Sequence, residues 1–85
     1  MKYIAILAGN ANQFNQFVSG LSEFGKAERI GSTKIKTDKE IIFYVSDANS
    51  LRGIRLKEYK IIGTFFERLD CYEIQEMADS RIKNS

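Results

Sequence analysis

Three groups of small polar and charged residues each follow a strand-like apolar run in this chain. Gly9, Asn10 and Asn12 follow Tyr3-Ile4-Ala5-Ile6-Leu7-Ala8. Ser46, Asp47, Asn49 and Ser50, with Arg52 behind them, follow Ile41-Ile42-Phe43-Tyr44-Val45. Thr64, Glu67 and Arg68 follow Tyr59-Lys60-Ile61-Ile62. If these runs are parallel strands, the groups share one edge of a sheet, and in open parallel sheets ligands collect at the carboxyl edge. Helix N-termini there would add N–H donors and positive partial charge, suited to phosphate or carboxylate. Arg52 and Arg68 offer bidentate contacts to an anion. The candidate ligand set is therefore Asn10, Asn12, Ser46, Asp47, Asn49, Ser50, Arg52, Thr64 and Arg68. The same residue types also cap helices and make turns, a reading that needs no ligand.

Signatures of catalysis are missing. The chain has no histidine, which removes the usual general base and the commonest metal ligand. Gly9 is followed by neither the second glycine nor the lysine of a phosphate-binding P-loop, and there is no Gly-x-Gly-x-x-Gly. Asp70 and Glu73 could be taken for a carboxylate pair, but Asp70-Cys71-Tyr72-Glu73 has the spacing of a helix capping box. Cys71, the single cysteine, has no histidine to activate it and reads as structural. The expectation is a non-enzymatic protein with no metal and no cofactor.

The phrase Ser50-Leu51-Arg52-Gly53-Ile54-Arg55, leading into an apolar run, resembles the segment before the Walker B strand of phage terminase and helicase-type ATPases. The likeness spans residues 46–66. It implies a reduced, non-hydrolysing relative of a nucleoside-triphosphatase core, because Ile61-Ile62 runs into Gly63-Thr64 where those enzymes carry acidic residues. The strand count and order are also similar to those of a BRCT-type domain, without the tryptophan of that family's last helix. Abundant Ile, Lys and Asn with no proline suit an AT-rich genome, such as that of a phage or a low-GC bacterium.

With no catalytic signature and a well-specified core, the expected partner is another protein, or a second copy of the chain. Phe65 and Phe66 are adjacent, so in a continuing strand one of them faces away from the core. Phe66 and Tyr72 are the expected interface residues. Nucleotide or nucleic acid is the alternative partner: Arg52, Arg55, Lys57 and Lys60 cluster in sequence, and phosphate contacts from them would be salt-sensitive. Glu58 and Glu67 are nearby, and the net charge is only +2, as on an ordinary solvated face. No run approaches the roughly 20 apolar residues of a membrane span. One cysteine and no evident signal peptide fit a reducing, cytoplasmic setting.

The elements that would position these groups follow from periodicity. At 85 residues and 44% apolar content the chain has the size and composition of one folded domain. Residues 2–8 read as a strand buried on both faces. Phe14, Phe17, Val18, Leu21 and Phe24 form one helical face from about Asn12 to Phe24, with Asn10 or Asn12 as N-cap and Gly25 as C-cap. Residues 27–36 read as one weak edge strand, antiparallel to a strong strand at 40–45. A short helix follows at 50–56 and a last strand at 59–65. A closing helix from Asp70 turns Ile74, Met77, Ala78 and Ile82 inward, with residues 82–85 as a frayed tail. The predicted fold is a small three-layer, Rossmann-like α/β domain of order β-α-β-β-α(short)-β-α, its sheet mostly parallel with one antiparallel edge strand. A ferredoxin-like sandwich is the alternative.

Overall fold

The computed structural model describes residues 2–22 and 27–83. It is a mixed α/β fold in which a five-stranded sheet of order β2-β3-β4-β1-β5 carries a helix on each face. The strands are β1 (Lys2–Leu7), β2 (Glu28–Gly31), β3 (Lys34–Lys36), β4 (Glu40–Tyr44) and β5 (Leu56–Ile61). The helices are α1 (Ala11–Ser22) and α2 (Cys71–Lys83), and two 3-10 turns lie at Ala48–Leu51 and Phe65–Glu67.

β1 lies inside the sheet, between β4 and β5, and is apolar on both sides. Ile4, Ile6 and Ala8 pack with Phe14 and Val18 of α1 and with Ile35 and Ile42. Ala5 and Leu7 point the other way, into a cluster with Phe43, Val45, Leu51, Leu56, Phe65, Ile74 and Ala78 under α2. Phe14, Phe65, Ile6, Leu7, Leu51, Leu56 and Ile74 are essentially inaccessible, and full burial of such a side chain contributes about 1.5–3 kcal/mol. Phe14, Phe17 and Val18 of the helical face read from the sequence thus seat α1, while the side chain of Leu21, and Phe24 and Gly25, fall outside what is described. Asn10 is its cap: the side-chain oxygen accepts from Gln13 N–H at 3.0 Å.

Several expectations need correction. The expected single strand at 27–36 is a hairpin, β2 and β3, folded about Ser32 and Thr33 with Gly31 opposite Lys34. Gly-Ser-Thr in the middle of that run favours a tight turn over continued extension. The sheet is therefore evenly mixed: β1 pairs in parallel with β4 and β5, while β3 pairs antiparallel with β4 and β2 with β3. The last strand starts and ends earlier than predicted, at Leu56 and Ile61. Gly53 and Gly63, with φ of 72° and 57°, set those limits, since both take the left-handed conformation that glycine adopts without steric cost. Phe65 and Phe66 consequently lie in a 3-10 turn and not in a strand. The short helix is displaced as well, to Ala48–Leu51. α2 runs to Lys83, with Ile82 packed against the core, so the frayed tail cannot begin at residue 82. No helix among the described residues is long and apolar enough to cross a membrane.

Candidate functional site

Since β1, β4 and β5 are parallel, their carboxyl tips do share one edge. Asn10 and Asn12 follow β1, Ser46, Asp47, Asn49 and Ser50 follow β4, and Thr64 and Arg68 follow β5. Arg52 sits apart, just past the first 3-10 turn on the return path to the amino end of β5, where it is exposed.

Arg68 occupies the gap between the tips of β1 and β4. Its Nη1 donates to Ala8 O and Val45 O, both at 3.1 Å, and its Nη2 to Ser46 O at 2.6 Å. Nε and Nη2 also donate to the two carboxylate oxygens of Asp70, at 2.9 and 3.0 Å. A guanidinium has five N–H donors, and these contacts engage all of them. The side chain is only 14% exposed. Strand tips direct bare carbonyl oxygens outward, and a cation with a planar fork satisfies three of them at once. The expected capping role of Asp70 is replaced by this ion pair.

On the other side of β1, Gln13 closes the gap to β5. Its Oε1 accepts from Gly9 N–H at 2.7 Å and from Thr64 N–H at 3.1 Å, and its Nε2 donates to Thr64 Oγ1 at 2.9 Å. Sequence reasoning missed Gln13. Its signal was Asn10-x-x-Gln13, which has capping-box spacing; the glutamine reaches back to Gly9, one residue before the cap.

The tip of β4 is also internally wired. Asp47 Oδ1 accepts from Ser50 N–H at 3.1 Å, and the Ser50 hydroxyl is 3.4 Å from Asp47 N–H, closing a capping box on the first 3-10 turn. Ser46 and Ser50 hydroxyls are 3.0 Å apart. Of the nine candidate ligands, Asn10, Ser46, Asp47, Ser50, Thr64 and Arg68 are held by neighbours, while Asn12, Asn49 and Arg52 are exposed.

The chain matches no protein-family model, no curated protein and no solved structure. Two cavities lie against the sheet. One of about 360 Å³ opens on the α1 face toward the amino ends of the strands, over Ile4, Ile6, Phe17 and Ile42 with Glu40 and Lys57 at its rim. The other, of about 240 Å³, is bordered by Tyr3, Phe43 and Ile54 with Lys34, Ser46 and Ser50. No group of three or more metal-ligating side chains occurs among the described residues.

The clearest surface feature is apolar. Phe66, Leu69 and Tyr72 are 56%, 106% and 77% exposed. They alternate in sequence with Phe65, Arg68 and Cys71, which turn inward: Phe65 and Cys71 into the core, Arg68 onto the strand tips. Phe65 and Phe66 rings meet edge to face at 5.3 Å, and Cys71 Sγ lies 3.7 Å from Phe66 O.

Two side chains are electrostatically tuned. Glu40 accepts a hydrogen bond from Lys57 Nζ at 2.6 Å, which together with its charge holds the ammonium above its ordinary range. The Asp79 carboxylate accepts from the Tyr59 hydroxyl at 2.6 Å and, with burial adding to it, raises the phenol above its usual 10.0.

Proposed function

We propose that this protein is a small non-enzymatic binding module that acts through protein–protein contacts, with Phe66, Leu69 and Tyr72 as its docking face. The observation that carries the reading is the exposure of three large apolar side chains within seven consecutive residues, on a segment pinned from beneath. Aromatic residues are enriched at protein interfaces, and a surface held in place before binding loses less entropy on association. The test is a photo-reactive amino acid placed at Leu69 in cells. It should cross-link to a protein, and Phe66→Asp should abolish that product while leaving the circular dichroism spectrum unchanged. Cross-linking no stronger than from Glu76, exposed on α2, would sink the proposal.

A second reading is a phosphate-containing ligand, nucleotide or nucleic-acid backbone, at the carboxyl edge. The cavity bordered by Lys34, Ser46 and Ser50 favours it, with Arg52 an exposed cation outside its lining but two residues past Ser50 in sequence. Lys34→Ala and Arg52→Ala should then each weaken binding of a radiolabelled nucleotide or short duplex. A steep loss with salt would assign the ligand as nucleic acid, and indifference to both substitutions would remove the reading.

The finer fold assignment belongs with this proposal. We read the parallel β4-β1-β5 unit, whose strand tips lead to elements on opposite faces, as a reduced Rossmann-like core. The Ser50–Arg55 segment leads directly into β5, in keeping with descent from an ATPase of the terminase type that has lost its phosphate loop.

A further inference from the structure

β5 ends the sheet, and among the described residues no strand lies beyond it. Backbone groups point to alternate sides along a strand. Ile62 N–H donates to Leu7 O at 3.0 Å, so Glu58 and Lys60 direct their backbone groups toward β1, and Tyr59 and Ile61 direct theirs outward. The opposite edge of the sheet is protected differently. β2 has four residues, and Arg29 Nη1 covers Gly31 O and Ser32 O at 3.2 and 2.9 Å. β5 has six residues and neither proline nor glycine, and among the described residues no strand pairs with its outward carbonyls and N–H groups, the arrangement that invites another strand.

We propose that this edge receives a second copy of the chain, with the two β5 strands antiparallel about a two-fold axis at Tyr59. The charges on the strand select that register. In it Tyr59 lies opposite the partner's Tyr59, where both backbones point outward and exchange both hydrogen bonds. Glu58 then lies opposite the partner's Lys60, and Lys60 opposite the partner's Glu58, at the non-hydrogen-bonded positions where side chains come closest. Sliding by two residues in one direction puts Glu58 against the partner's Glu58, and in the other Lys60 against the partner's Lys60. Both are like-charge clashes. A shift of one residue presents inward-facing backbone to the partner and forms no ladder. Glu58 and Lys60 are opposite Ile4 and Ile6 of β1, hence on the α1 side, where they border the 360 Å³ cavity and have room to pair. Ile61, 37% exposed on the α2 side, lies along the seam. The interface is isologous and closes as a dimer, leaving the Phe66–Leu69–Tyr72 face for a different partner.

Sedimentation velocity over a wide concentration range tests this. Wild type should dimerise, and Glu58→Lys and Lys60→Glu should each weaken the dimer by about tenfold or more. The double variant, with the charges exchanged, should restore it. Circular dichroism of each variant controls for folding, and if one single variant does not fold the other carries the comparison. A wild type that stays monomeric throughout overturns the proposal, as does a dimer indifferent to either reversal. A dimer lost in Phe66→Asp but intact in Glu58→Lys also overturns it, by placing self-association at the apolar face. Survival of the Leu69 cross-link in a monomeric Glu58→Lys variant would separate the two surfaces.

Discussion

Arg68 looked like an anion ligand because an arginine near strand tips has the right charge and fork. In place it serves the protein's own carbonyls. Removing it would leave Ala8, Val45 and Ser46 carbonyls and the Asp70 carboxylate without their donor. Arg68→Ala should therefore lower unfolding free energy by about 2–4 kcal/mol, and Arg68→Lys, a point charge without the fork, by less. Urea denaturation with an unchanged m value measures this. A change within about 0.5 kcal/mol, typical of a free surface residue, would return Arg68 to the list of ligands. Tyr59 makes a separate prediction. Its folded pKa lies above its ordinary 10.0, so the native state holds the proton more tightly than the unfolded chain. That stability is fully present below pH 10 and is lost as pH rises through the folded value. Lys57, raised by Glu40, loses its contribution in the same direction, at alkaline pH. Thermal melts should fall above pH 10, and Tyr59→Phe should make that fall shallower; an identical slope in the variant would contradict the Asp79 contact.

At the scale of elements, the loops at the strand tips are fitted to one side chain, Gln13. A Cβ added at Gly63, where φ is 57°, would stand 2.2 Å from Gln13 Oε1, and one at Gly9 would stand 2.1 Å from Thr64 Oγ1. Gly63→Ala should destabilise by about 1–3 kcal/mol, from the left-handed backbone and the clash together. In a Gln13→Ala background the clash disappears and only the backbone part of the cost is left. A double-mutant cycle should thus show coupling between the two positions; strict additivity would mean that Gln13 does not fill the gap. The same loops show why element boundaries were harder to read than element types. Hydrophobic periodicity located β1, β4, α1 and α2. It could not show that Gly31-Ser32-Thr33 turns the chain back or that Gly63 stops β5 short of Phe65, because those breaks are signalled by turn-forming residue types and not by the spacing of apolar ones.

For the whole molecule, both gaps at the carboxyl edge, the place where open α/β sheets usually bind ligands, are closed by the chain's own side chains. The two binding surfaces proposed above lie elsewhere, at the apolar segment before α2 and at the edge of β5. The residue types and their spacing determined by themselves that the chain forms a mixed α/β fold with an apolar buried first strand, that polar groups follow the apolar runs, and that Phe66 and Tyr72 are candidates for exposure. Burial and periodicity are local averages over a strand or a helix, so they survive in the sequence. Only tertiary structure decided what those polar groups do. Whether Arg68 meets a ligand or Ala8 and Val45 depends on chain segments 60 and 23 residues away, and whether Gln13 caps a helix or bridges two strands depends on Thr64, 51 residues on. Those distances close only when β1, β4 and β5 lie side by side, and no local pattern records that they will.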